Sequence, residues 1–163
     1  MSPNMNRITV LLAEDHPVVR KGLRALLAKE EDIKVVGEAA TGRQAVEMTR
    51  RLHPAVVVMD IAMPLLNGLE ATRQVLRVVP GTKVLVLSAH SDDEYVEQVT
   101  RMGAAGYLIK QSSARILGRA IREVQKGNTF FSPSISRRLL DQYEKLPGQT
   151  GLSKKSGVRL TIG

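Results

Sequence analysis

Three carboxylates, a hydroxyl and an ammonium stand at the ends of apolar runs in this sequence. "ITVLLA" (Ile8 to Ala13) leads into Glu14 and Asp15, "AVVVM" into Asp60, "KVLVL" into Ser88, and "GYLI" into Lys110. If those runs are neighbouring strands, all five groups converge on one edge of a sheet. Two unit charges about 4 Å apart interact by about 4 kcal/mol at an effective dielectric near ~20. Three clustered acids are therefore costly without a cation. The chain has no cysteine, and the cluster holds no histidine pair, so the cation must be hard and oxygen-seeking. Two or three carboxylates plus water suit Mg²⁺ better than a Ca²⁺ cage. A carboxylate beside Mg²⁺ and a lysine can attack phosphorus, because both cations offset charge on the transferring phosphoryl oxygens. Asp60, on the central strand, is the expected nucleophile.

Each residue also has a plainer role. Asp15, close before Pro17, could cap a first helix. Ser88 could be a strand-end hydrogen bonder and Lys110 a solvated strand terminus. Only their convergence on one edge argues for chemistry, so the elements that position them decide the matter.

Five runs rich in Val, Ile and Leu recur, the four above and "IKVVGEA" (Ile33 to Ala39). Most do not alternate cleanly with polar residues, as expected of strands buried on both faces. Between them lie segments of helical period. Val19, Leu23, Leu26 and Leu27 form a stripe after Pro17, and Thr41 with Gln44 forms a capping box ahead of Ala45, Met48 and Leu52. Leu69, Thr72, Leu76 and Val79 follow Asn67, the expected cap. "SDDE" opens a fourth helix carrying Val96, Val99 and Met102, and Ile116, Leu117, Ala120, Ile121 and Val124 mark a fifth that ends at Gly127. Alternating strands and helices imply βαβ units with right-handed crossovers, hence a doubly wound α/β fold with a five-stranded parallel sheet and five helices. In such folds the site lies at the carboxyl ends of the strands, where strand order reverses.

Composition agrees. At 163 residues, 43% hydrophobic and 25% charged, the chain has room for one globular domain and a tail. No apolar run approaches the roughly 18 residues that span a bilayer, and "MSPNMNR" lacks the apolar core of a signal peptide. A cytoplasmic protein with no membrane partner is expected. From Phe130 onward six bases face two acids, so half of the net +8 lies in the tail. "GLSKKSGVRLTIG" has no interleaved aromatics and reads as a soluble linker rather than a nucleic-acid contact.

"LLAEDHPVVRKGL", "VVVMDIAMPLLNGLEATRQV", "VLVLSAH" and "GAAGYLIK" stand in the order and spacing of the receiver domains of two-component response regulators, and the chain resembles that family from about Arg7 to Lys126. "GNTFFSPSISRRLL" is similar to the segment closing receivers of NarL/FixJ-type (LuxR-like) transcription factors. The resemblance implies a flavodoxin-like strand order of 2-1-3-4-5. It also implies that Asp60 is the phosphoacceptor, that Asp15 binds Mg²⁺ directly and Glu14 through water, and that the backbone carbonyl of Ala62 is a further ligand. Lys110 would pair with the acyl phosphate, Ser88 would hydrogen-bond a phosphoryl oxygen, and Tyr107 would turn inward with Ser88. A plainer reading leaves Tyr107 half buried at the sheet edge. Gln111 departs from the Asp or Pro that often follows the family's lysine, so a slightly different placement of Lys110 is expected.

The resemblance further implies a sensor histidine kinase as phosphodonor and a homodimer on phosphorylation. Candidate dimer faces are the first helix, with Arg20, Lys21 and Arg24, and the fifth, with Arg115, Arg119 and Arg122. Residues 1–6 are expected to be disordered, 7–128 to form the receiver, and 129–163 to form a linker helix and basic tail. DNA would be bound only through a helix-turn-helix domain absent here, with Leu160-Thr161 as its first step, so a truncated chain is expected. Two alternatives remain: a phosphorylation-independent interaction module, or an Asp-nucleophile phosphatase. The second lacks its usual general acid, because position 62 is Ala.

Overall fold

Successive side chains of a strand point to opposite faces of its sheet, and here both faces are covered. A computed structural model describes residues 7–63, 66–89, 93–132 and 160–162. In β1 (Ile8–Ala13), Leu11 and Ala13 enter one core while Ile8, Val10 and Leu12 enter the other. The same division runs through β3 (Val56–Asp60) and β4 (Lys83–Ser88), where Val57, Met59, Val84 and Val86 oppose Val56, Val58, Leu85 and Leu87. That is why these runs show no polar alternation. β2 (Ile33–Ala39) and β5 (Gly106–Ile109) complete the five expected strands.

Among the described residues, five helices cover the sheet. α2 (Gly42–Leu52), α3 (Gly68–Val78) and α4 (Asp93–Met102) alternate with the strands along the chain and supply Ala45, Val75 and Val96 to the first core. α1 (Pro17–Ala28) and α5 (Lys110–Gln125) supply Leu23, Leu27, Leu117, Ile121 and Val124 to the second. Pro17 opens α1 as expected. The Thr41 hydroxyl accepts the Gln44 N–H at 3.1 Å, and the Gln44 side chain accepts the Ala40 N–H at 2.8 Å, one residue earlier than the usual capping box. His53 ends α2 in the left-handed region, with φ 47°. The first helical stripe is narrower than expected: Val19 is exposed, and Leu23 and Leu27 alone are fully buried.

All strand pairs are parallel, and the order 2-1-3-4-5 is present. The sheet does not stop there. β6 (Thr129–Phe131) pairs with β5 and β7 (Leu160–Ile162) with β6, giving seven strands among the described residues in the order β2-β1-β3-β4-β5-β6-β7. Three-residue strands are too short to show periodicity, which is why residues 129–131 read as linker. Gly127, at φ 101°, makes the left-handed turn that sends the chain from α5 back along the sheet. Phe130 and Phe131 then point into opposite cores, each burial contributing about 1.5–3 kcal/mol. With β6 beside it, Tyr107 is not an edge residue. It is fully buried instead of half buried.

The N-terminal segment 1–6, His90, the start of the "SDDE" box and nearly all of the expected linker helix lie outside the described residues. Three arginines of the candidate dimer faces, Arg20, Arg24 and Arg122, have partners within the chain. Arg20 and Arg24 both engage Glu38 of β2, and Arg122 lies 2.5 Å from Glu30 and 2.8 Å from Asp32, tying α5 to the turn after α1.

Two glycine substitutions test this packing. A methyl at Gly68 would lie 2.2 Å from the Asp60 carbonyl oxygen and 2.5 Å from Ile61 Cα, whereas at exposed Gly22 nothing lies within 4 Å. Urea denaturation should show Gly68→Ala losing about 1–3 kcal/mol, and Gly22→Ala gaining up to about 1 kcal/mol from helix propensity.

Candidate functional site

The acidic pair sits where β1 gives way to α1. The Glu14 N–H donates to the Ala39 carbonyl at 2.9 Å, one step beyond the last β1 rung, and Pro17 begins the helix three residues later. His16 is the residue at the helix cap, and its side chain does no capping. The capping role considered for Asp15 is therefore not the observed one. The His16 imidazole turns back instead, its Nδ1 3.1 Å from Glu14 Oε2 and 3.2 Å from Asp15 Oδ1, while the His16 backbone N–H donates to Glu14 Oε2 at 3.1 Å.

Asp60 ends β3, at the register level of Leu87, and Ser88 lies one residue beyond. The loop after Asp60 folds over its own backbone. The Ile61 N–H reaches the Leu87 carbonyl at 3.0 Å, and the Gly68 N–H closes on the Ile61 carbonyl at 2.9 Å. Asn67 caps α3 as expected, accepting the Glu70 N–H at 2.9 Å. The Ala62 N–H donates to Asp60 Oδ1 at 3.2 Å. Asp60 does not face solvent: only 1% of it is exposed. The pocket opens instead at Asp15 and Lys110, whose side chains are 24% and 21% exposed.

Lys110 was expected at a strand end and is the first residue of α5, because β5 passes into the helix with no loop. Two hydroxyls secure that junction. Ser132 Oγ accepts the Ile109 N–H at 3.0 Å, and Ser113 Oγ donates to the Lys110 carbonyl at 2.9 Å. No described peptide bond is cis, that after Lys110 included. The ammonium lies 2.9 Å from Glu14 Oε1 and 3.2 Å from Asp60 Oδ1. Ser88 is buried on the same edge, and Tyr107 is buried two residues before Ile109, the register partner of Ser88.

The electrostatics separate the carboxyls. Burial, and next the negative charge of Glu14, push the Asp60 carboxyl up to about 6, against the opposing Ala62 N–H and Lys110. Burial also pushes Glu14 upward, yet Lys110, the His16 N–H and Asp60 together outweigh it and hold Glu14 at about 2. Lys110 is raised: burial opposes its charge, and the two carboxylates more than compensate.

The donor set suits a hard divalent cation. Glu14, Asp15, His16 and Asp60 each offer a ligand atom, all within 4.8 Å of one another. Asp60 Oδ2 is buried without a hydrogen-bond partner, while Glu14 Oε1 and Asp15 Oδ1 have only the ion-pair neighbours Lys110 and His16. A cation would satisfy all three oxygens. The structure thus brings together Glu14, Asp15, Asp60 and Lys110, places Ser88 and Ala62 beside them, and sets Tyr107 in the adjoining core. His16 was missed. Its only sequence signal is its place directly after two acids and before the helix-starting proline.

Residues 10–122 match the response regulator receiver domain family. The transcriptional regulatory protein DegU of Brevibacillus brevis is 39% identical over 143 residues, 88% of this chain and 61% of the relative. A LuxR-family two-component response regulator from Aurantimonas sp. SI85-9A1 superposes with a TM-score of 0.81 at 30% identity, covering 85% of this chain and 99% of that one. The isolated receiver domain of RcsB from Salmonella enterica serovar Typhimurium, solved with a beryllium fluoride phosphomimetic, gives a TM-score of 0.75 at 28% identity, covering 81% and 98%. The chain spans about three fifths of the length of its DegU and GacA relatives.

The carboxyl electrostatics predict how stability responds to substitution. A raised Asp60 pKa means that the folded state holds the proton more tightly than the unfolded state. Its contribution to stability is thus full below about 3.8 and is lost as pH rises through about 6. Without divalent cations, Asp60→Asn should stabilise the fold at pH 7 by about 1–2 kcal/mol in urea denaturation, the gain vanishing toward pH 4. Glu14→Gln should act in the opposite sense at pH 7, because a depressed carboxyl stabilises above its unfolded pKa and loses that contribution only as pH falls toward about 2.

Proposed function

The chain belongs to the response regulator receiver domain family, and from that premise we propose that it is the phosphorylation-dependent switch of a two-component system, with Asp60 as phosphoacceptor. The observation that carries this reading is Asp60 itself, a buried carboxyl flanked by Glu14 and Lys110, with one oxygen lacking any hydrogen-bond partner. A receiver is a switch rather than a turnover enzyme, and the relatives are regulators.

Asp60 attacks the phosphorus of a histidine kinase's phosphohistidine. A carboxylate oxygen–phosphorus bond forms, the nitrogen–phosphorus bond breaks, and the imidazole leaves with the electron pair. Asp15 and Asp60, with the Ala62 carbonyl and Glu14 through water, would hold Mg²⁺. When bound, that ion offsets charge on the phosphoryl oxygens in transfer. Lys110, already 3.2 Å from Asp60 Oδ1, stabilises the same charge from the other side. The Ala62 N–H orients the acceptor. The Ser88 hydroxyl hydrogen-bonds the transferred group, and the loop at the end of β4 moves with it.

Movement at Ser88 is passed to Tyr107, two residues before its register partner Ile109 on β5, and so to the face formed by α4, β5 and α5. Two-state repacking of that face is the output. The receiver unit extends from residue 7 through β6, acts in the cytoplasm, dimerises on phosphorylation, and controls DNA binding and transcription through a further domain. The similarity to transcriptional regulators longer than this chain supports that part. No described helix is long and apolar enough to cross a membrane.

Intact mass spectrometry after incubation with acetyl phosphate and Mg²⁺ tests the proposal. Wild type should take up a single phosphoryl group, Asp60→Asn none, and Lys110→Ala should do so more slowly by about tenfold or more, as when one transition-state donor is lost. Uptake by Asp60→Asn equal to wild type would refute it.

A further inference from the structure

Arg20 forms contacts that neither helix packing nor the phosphoryl-transfer roles account for. It lies in the first turn of α1, and its guanidinium reaches back over the site loop. One terminal nitrogen donates to the Glu14 backbone carbonyl at 2.7 Å, while Nε donates to Glu38 Oε1 at 3.0 Å. We propose that Arg20 is a positioning residue for the metal-binding pair, holding the Glu14–Asp15 peptide in the one orientation that turns both carboxylates toward Asp60. This rests on the reading of the pocket as a Mg²⁺-dependent phosphoacceptor site.

Three observations support it. The first is where the ladder stops. The last rungs of β1 pair Ala13 with Ala39 and Met59, so the Glu14 carbonyl has no strand partner. Its N–H is held by the Ala39 carbonyl at 2.9 Å, and its own carbonyl by Arg20. These two bonds fix the amides on either side of Glu14, and the His16 backbone N–H, donating to Glu14 Oε2 at 3.1 Å, fixes the amide after Asp15, so the backbone that carries the Asp15 side chain is held. Without Arg20, the Glu14–Asp15 peptide could rotate, and Asp15 would leave the 4.8 Å group of ligand atoms.

The second is the charge. A guanidinium bonded to the backbone of a metal-binding residue would set a positive charge beside the cation's pocket, were that charge not taken up. Glu38 does that. It is engaged by both Arg20 and Arg24, and its carboxyl is held below the ordinary range: burial pushes it up, but the two arginines outweigh burial. The third is the fork geometry. A planar guanidinium serves Glu38 and the Glu14 carbonyl at once, whereas an ammonium is a point charge.

Arg24 supplies the internal control. It pairs with the same Glu38 and ties α1 to β2 in the same way, but has no hydrogen bond to Glu14. If Arg20 only fastened α1 to the sheet, the two would be equivalent.

The test is Mg²⁺ binding by isothermal titration calorimetry on the full chain, together with the Mg²⁺ dependence of phosphorylation by acetyl phosphate, with each variant's folding checked by circular dichroism. Outer contacts that orient metal ligands typically change metal affinity by about 10- to 100-fold when removed. Arg20→Met should weaken Mg²⁺ binding by about tenfold or more, yet phosphorylate at near the wild-type rate once Mg²⁺ saturates. Arg20→Lys should recover part of the loss, and Arg24→Met should bind within about twofold of wild type. Wild-type affinity in folded Arg20→Met and Arg20→Lys, or an equal loss in Arg24→Met, would overturn the proposal while leaving the pocket reading intact. Failure of the unaltered chain to bind Mg²⁺ would overturn both.

Discussion

A single ammonium is held between two buried carboxyls. Lys110 lies within ion-pair distance of both Glu14 and Asp60, each almost wholly withdrawn from water. At such separations charges interact by several kcal/mol even at an effective dielectric of ~20, so the acids can be gathered only because the lysine is there, and only partly even then. The raised Asp60 and the partnerless Oδ2 are the residue of that incomplete compensation. An edge left short of positive charge is one that a divalent cation and a phosphoryl group can complete.

The rest of the fold serves to keep these groups from relaxing apart. Each sits at the end of a strand whose side chains are divided between two packed cores, so the strand end cannot shift without disturbing both. Lys110 is placed most tightly of all. It follows β5 with no loop and opens α5, while Ser132, just after β6, holds the amide before it. The sixth strand therefore does more than widen the sheet. It ties the segment leading out of the domain to the residue that would sense the phosphoryl group, a physical connection between chemistry and output.

Much of this was legible in the sequence because strand ends announce themselves. Runs such as "AVVVMD" stop at a polar residue where the strand leaves the sheet, and four such endings located the pocket. Asn67, Pro17 and the Thr41–Gln44 pair were readable for the same reason: capping has local chemistry. What stayed hidden was tertiary. β6 and β7 are three residues each and owe their existence to partners, so Tyr107 could not be known to be covered. The return of His16 onto Glu14 and Asp15, and the pairing of Arg20 and Arg122, depend on how a helix end meets the sheet. The burial of Asp60 is tertiary too, because the turn that follows it folds over its own backbone.

The central claim is that one carboxyl, singled out by its surroundings, receives the phosphoryl group. Reducing the phosphorylated chain with borohydride converts an acyl phosphate to an alcohol and leaves the other carboxylates unchanged, so peptide sequencing by mass spectrometry reads the site directly. The account predicts homoserine at position 60 and no reduction at Glu14 or Asp15. Reduction at either of those positions, or phosphate that resists borohydride altogether, would contradict it.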